Sequence, residues 1–135
     1  MNEQQLHSRT PLPARILGLL LLVWQPVTLA FVMSGLLDEL SVRGGGLAVI
    51  LLARLLAAGL GIAAGLALLQ RKPGASTLAK TSLVFSAIVD VVAYATPYTP
   101  NNRPPGDATI ILLASLAYYA GWFIYVMRAT ALESL

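Results

Sequence analysis

Four long runs of apolar residues, separated by short polar segments, dominate the pattern along the chain. The runs cover residues 16–37, 47–69, 78–96 and 108–127. Each has about the 20 residues that a helix rising ~1.5 Å per residue needs to cross the ~30 Å hydrocarbon core of a bilayer. The pattern therefore predicts a transmembrane domain over residues 16–127 with four spans, between an N-terminal tail (1–15) and a C-terminal tail (128–135).

The connections between the runs contain residues that end helices. The first, DELSVRGGG, finishes with three glycines, which release the chain before the second span. The second long connection, TPYTPNNRPPGD, contains four prolines and predicts a stiff extended cap over the helix ends. Because short connections make consecutive helices antiparallel neighbours, we expect an all-α, up-down-up-down four-helix bundle.

Composition agrees with a membrane protein and removes several kinds of site. Hydrophobic residues make up 57% of the chain and charged residues 11%, against about 25% charged residues in soluble domains. The chain has no cysteine, and its one histidine, His7, lies in the polar N-terminal tail. A thiolate, haem or zinc site therefore lacks ligands, and we expect no metal and no cofactor. The net charge of +3 forms no continuous basic patch, so nucleic-acid binding is not indicated.

Basic residues concentrate at one end of the predicted bundle. Six lie in the tails and in the connection between the second and third spans: Arg9, Arg15, Arg71, Lys72, Lys80 and Arg128. Only Arg43 and Arg103 fall at the other end. The positive-inside rule then predicts that both termini are cytoplasmic.

Two charged residues lie inside the predicted spans. Arg54 in the second span and Asp90 in the third are each ~10 Å from the same ends of their helices, so we predict an ion pair between them. Asp90 belongs to a polar stripe at four-residue spacing, typical of one helix face: Ser82, Ser86, Asp90 and Tyr94. We expect Tyr94 to support the pair.

The predicted pair has a structural and a functional interpretation. A charge inside hydrocarbon costs about 2.5–3.5 kcal/mol on insertion scales, which makes function the default hypothesis. A matched pair can also simply fix helix register, and this interpretation is favoured.

In the first span, Pro26 removes a helix hydrogen bond beside Gln25 and predicts a kink there. If a quinone or a lipid tail binds, the groups best able to orient it are Gln25, Arg54, Asp90 and Tyr118.

Small residues recur at four-residue intervals along the second span: Ala53, Ala57, Gly61 and Gly65. Such a ridge allows close approach of another helix. We expect it to pack against a neighbouring membrane protein, with Arg54 beside it.

At the end of the fourth span, Trp122, Tyr125 and Arg128 predict an anchor at the membrane interface.

Two segments carry a family resemblance. LLQRKPGASTL before the third span and the closing WFIYVMRATALESL, together with four spans and a proline in the middle of the first, resemble the bacterial inner-membrane family named domain of unknown function 2569. The resemblance covers about residues 15–132. It implies a four-span fold in a bacterial cytoplasmic membrane, and it brings no catalytic residues.

No nucleotide-binding loop, Ser/His/Asp set or paired glycosidase carboxylates occur in the sequence, so we expect no catalytic residues and no enzyme activity. The leading hypothesis is an accessory or assembly subunit of a larger membrane complex, with the bilayer and either a membrane-protein partner or further copies of itself around it. The alternative is a small homo-oligomeric transporter or lipid- or quinone-binding protein that uses Arg54 and Asp90.

Overall fold

The computed structural model describes residues 11–97 and 106–133, with side chains except at positions 43 and 130–133. This part of the chain is helical and contains no strand. Four long helices follow one another: α1 (Leu12–Leu36), α2 (Gly45–Leu69), α3 (Ala75–Ala95) and α4 (Asp107–Glu133). Each is long and apolar enough to cross a membrane, so the predicted all-α architecture with four spans is confirmed. The protein is a multi-pass membrane protein.

The helices extend beyond the apolar runs. α1 begins at Leu12, inside the predicted N-terminal tail, where Pro11 is the N-cap and a second proline occupies the first turn. Proline suits this position because its fixed φ is helical and the N–H group it lacks has no partner there. α4 continues to Glu133, inside the predicted C-terminal tail. Hydropathy therefore predicts the apolar part of these two helices, whereas the helices themselves run on into the predicted tails.

The first connection is more helical than its glycines predict. A short helix covers Leu40–Arg43, and only Gly44, with φ of +73°, breaks the chain direction. The next two glycines belong to the first turn of α2. Residues 98–105 of the proline-rich connection lie outside the described residues, and the predicted extended cap lies there with them.

α1 packs closely on α2 where both helices carry glycine. A Cβ atom on Gly65 would lie 2.6 Å from the carbonyl oxygen of Gly18 and 3.0 Å from the backbone nitrogen of Leu22. A Cβ atom on Gly61 would overlap Gln25 Oε1. The small-residue ridge therefore packs inside this chain, against α1. This corrects the expectation that Gly61 and Gly65 contact another membrane protein.

The two other members of the ridge lie nearer the start of α2. Ala57 is buried, with 8% of its surface exposed, and Ala53 is half-buried.

The helices pack in chain order, α1 on α2, α2 on α3 and α3 on α4. We call the end with the start of α1, residues 70–74 and the end of α4 the terminal end, and the opposite end the distal end. An apolar core fills the terminal half, and its buried members come from all four helices: Leu17, Leu21, Ala64, Ala79, Leu83 and Val126. Trp122 and Tyr125, predicted as interface anchors, are partly buried against this core.

The distal half is more open. No residue of α1 from Gln25 to Leu36 is buried, and among the described side chains of α4 only Val126 is. α2 and α3 stay in contact in this half, where Ile50 and Val89 are buried. The apolar core thus fills the middle of the terminal half, and the helices leave a cavity between them in the distal half.

Gly65→Ala is expected to destabilise the bundle by about 1–3 kcal/mol, because the added methyl group meets backbone atoms of α1 that cannot move aside. The matched control is Gly59→Ala in the same helix, where a Cβ atom meets no atom within 4 Å. This control should gain up to about 1 kcal/mol from helix propensity. Unfolding of both variants in one detergent measures the difference. Equal stability of the two would contradict the close contact.

Candidate functional site in the membrane

An ion pair joins α2 and α3 in the distal half. Arg54 Nη1 lies 3.4 Å from Asp90 Oδ1, the contact that their matched depths predict. The side chains are 19% and 13% exposed. The distance exceeds the ~2.7–2.9 Å of a tight charge-assisted hydrogen bond, so the two groups attract each other without a bidentate lock.

The second oxygen of the same carboxylate is held by α4. The hydroxyl of Tyr119 donates a hydrogen bond to Asp90 Oδ2, at 3.0 Å. Tyr94, which the sequence predicts to support the pair, lies on the same cavity with its side chain partly exposed. The supporting hydrogen bond therefore comes from the fourth span, and Asp90 connects three helices through Arg54 and Tyr119.

Tyr118, predicted to orient a ligand, occupies a different place. Its hydroxyl is buried without a hydrogen-bond partner among the described residues, and its ring meets that of Tyr119 edge to face with centroids 5.5 Å apart. It does not line the cavity, whereas Tyr119 does. Of these two tyrosines it is Tyr119 that lines the cavity, since adjacent helix residues point ~100° apart.

Gln25 reaches the same region from α1. Its Nε2 donates to Ser86 Oγ at 3.4 Å, while its Oε1 lies against Gly61 and has no hydrogen-bond partner among the described residues. The backbone irregularity predicted at Pro26 takes the form of a π turn over Leu20–Trp24, in which the Gln25 N–H group bonds to the Leu20 carbonyl. This turn sets the direction in which Gln25 leaves the helix.

These groups surround a cavity of about 240 Å³ to which all four spans contribute. Its lining combines a polar set and an apolar set. The polar members are Gln25, Thr28, Arg54, Ser86, Asp90, Tyr94, Ser115 and Tyr119. The apolar members are Leu29, Val32, Ala57, Ala58 and Val89. Ser82, the first residue of the predicted polar stripe, is fully buried and lies outside the lining.

The cavity is small, and its lining contains a single carboxylate, that of Asp90. No group of three or more His, Cys, Asp or Glu side chains that could hold a metal ion occurs in residues 11–97 and 106–133. The cavity is smaller than the ~300–1,000 Å³ of sites that enclose a drug-sized ligand.

Two lining residues on α4 are not among those that the sequence predicts. Ser115 and Tyr119 are four residues apart, the spacing that places side chains on one helix face. This is the same signal that identified the stripe on α3. It is weaker in α4 because the stripe has only two members and is followed by the aromatic segment at residues 122–125.

Comparison of the chain with protein-family models, curated proteins and solved structures gives no significant match. The resemblance to the domain of unknown function 2569 family stays a prediction.

Tyr119→Phe is expected to destabilise the protein by about 1.5–3 kcal/mol, the range for a hydrogen bond to a charged group, because it leaves Asp90 Oδ2 without its donor. Tyr118→Phe is the matched control, since it removes a hydroxyl that has no partner among the described residues. It should cost nothing. Chemical unfolding of both variants in detergent tests this, and a larger loss for Tyr118→Phe would contradict the assigned hydrogen bond.

Proposed function

We propose that this protein is a non-enzymatic membrane protein that binds a small amphipathic molecule with an uncharged polar head group, such as a quinone or a neutral lipid. The observation that carries the proposal is the cavity in the distal half, where all four spans bring polar side chains together inside the membrane-spanning region. Intramembrane ionisable residues mark functional sites by default, and here they line an accessible space.

The charge of the cavity supports a neutral head group. Arg54 and Asp90 are its two charged lining residues, and their formal charges cancel. An anionic head group would compete with the carboxylate for the guanidinium, and a cationic one would compete with the guanidinium for the carboxylate. A carbonyl or hydroxyl head group can hydrogen-bond beside the intact pair. The Ser115 hydroxyl can donate and accept, whereas that of Thr28 donates to Gln25 O at 2.9 Å and offers a ligand its acceptor lone pairs.

The apolar part of such a ligand has a place next to the polar one. Leu29 and Val32 line the cavity on the distal half of α1, and Val32 is 37% exposed. Because no residue in this half of α1 is buried, the cavity is bordered by a side that lipid can reach. A hydrocarbon tail can therefore stay in the bilayer while the head group lies beside Asp90.

Binding is better supported than the two other functions considered. The apolar core closes the terminal half of the described bundle below the cavity, so transport would require this core to open. The hypothesis of an accessory subunit depends on the small-residue ridge, and two of its four members, Gly61 and Gly65, pack on α1. Assembly with a partner or with further copies stays a prediction without support from that surface.

The proposed location is the cytoplasmic membrane of a bacterium, with both termini in the cytoplasm. The distribution of basic residues supports the orientation, because Arg15, Arg71, Lys72 and Arg128 all lie at the terminal end. The proposed cavity then opens in the half of the membrane that faces away from the cytoplasm.

Ser115→Phe is expected to abolish ligand retention or weaken affinity at least tenfold, because the added ring fills the cavity. The control is Ala114→Phe. Ala114 is next to Ser115 in the chain, is exposed and does not line the cavity. Native mass spectrometry of protein extracted from its membrane, followed by titration with a short-chain quinone and with diacylglycerol, gives the readout. Full retention by a folded Ser115→Phe variant would overturn the proposal.

Asp90→Asn is expected to change the preferred ligand charge, because it leaves Arg54 un-neutralised and gives the cavity a net positive charge. The variant should bind the neutral ligand more weakly than the parent and a fatty-acid anion more strongly. Asparagine keeps an acceptor for the Tyr119 hydroxyl, so folding should be largely retained. An unchanged ratio of the two affinities would show that the pair does not contact the head group.

A further inference from the structure

A second cavity, of about 350 Å³, lies at the terminal end, on the other side of the apolar core from the first. Four parts of the chain enclose it: the start of α1, the turn between α2 and α3, the start of α3 and the end of α4. Its lining includes Leu17, Leu68, Arg71, Lys72, Ser76, Val126 and Ala129. The proposed ligand site in the distal half uses none of them.

The lining of this second cavity is amphipathic. Its floor is apolar and tightly packed, with Leu17 fully buried and Val126 4% exposed. Its rim carries two exposed cationic side chains, Arg71 and Lys72, and none of its lining residues is acidic. The cavity therefore has a positively charged entrance above a hydrocarbon floor, at the level where the helices end.

The turn between α2 and α3 fixes these two cations side by side. Lys72 N donates to Ala67 O at 3.0 Å and Arg71 N to Leu68 O at 3.3 Å, the paired bonds of a Schellman motif. Arg71 takes the left-handed position of this motif, with φ of +55°, where glycine is the usual residue. The turn thus directs both side chains from one short, fixed segment.

The start of α3 adds to the positive potential. α3 begins at Ala75 with no side-chain cap and no acidic residue in its first turn. No side chain of that turn therefore neutralises the positive end of the helix dipole or the first N–H groups. Ser76, in this turn, lines the cavity and contributes a hydroxyl.

We propose that the terminal-end cavity binds the phosphodiester head group of an anionic phospholipid. Arg71 and Lys72 neutralise the phosphate, and the apolar floor takes the first carbons of the acyl chains. Basic pockets between transmembrane helices at the membrane surface bind such head groups. A lipid fits better than a free phosphate ion, because the ion has nothing to place on the floor formed by Leu17, Leu68 and Val126.

The test compares lipids retained by the protein in nanodiscs that contain equal amounts of phosphatidylglycerol and phosphatidylcholine, read by native mass spectrometry. The parent protein should retain phosphatidylglycerol preferentially. Arg71→Asn combined with Lys72→Gln should lower its affinity about tenfold or more. Asparagine is chosen at position 71 because it tolerates the left-handed conformation.

The matched control is Lys80→Gln combined with Arg128→Gln, which removes two positive charges from the same end without changing the lining. It should retain the lipid. Ala129→Trp, which fills the cavity and keeps its charge, should lose it. Equal losses in both double variants, retention by a folded Ala129→Trp variant, equal binding of phosphatidylcholine, or complete displacement by inorganic phosphate would each overturn the proposal.

Discussion

The contact between the glycines of α2 and the backbone of α1 is the constraint on which the rest of this structure depends. Lipid chains are as apolar as leucine, so helices in a bilayer associate through close packing and internal hydrogen bonds rather than through the hydrophobic effect. With Gly65 against Gly18, the position of α1 along α2 is set. Gln25 then lies over Gly61 and within reach of Ser86 on α3.

The two halves of the bundle are held by different chemistry. The terminal half is held by apolar side chains from all four helices, whereas Asp90 links three helices in the distal half through Arg54 and Tyr119. α4 depends most on this polar link, since it packs mainly on α3 and buries little surface before Val126. The result is a neutral polar space in one half of the bundle and a positively charged one at the opposite end.

The existence of four spans and the level of Arg54 and Asp90 follow from the sequence, because both depend only on the rise per residue along a helix. The direction in which each side chain points from its helix is harder to predict. Tyr118 and Tyr119 differ by one position, and only the packing of α4 on α3 decides which of them meets Asp90. The spacing of the small residues around Gly61 fits a surface that contacts another protein as well as one that packs inside the bundle. Spacing identifies a face of a helix, but it does not tell which helix packs against that face. The π turn before Gln25 also left no sequence signal beyond Pro26.

That π turn has a consequence for how such a protein can diversify. A turn with bonds from residue i to i+5 holds one residue more than an α-helical turn, and is equivalent to a single insertion in α1. Because the extra residue is accommodated inside the turn, deleting one residue within Leu20–Trp24 would restore the α-helix and leave the residues after it facing as they do now. The contact at Gly18 before the turn and the cavity-lining Gln25 and Thr28 after it would both be kept. Gain or loss of one codon at this point can therefore be tolerated without changing the cavity's α1 wall.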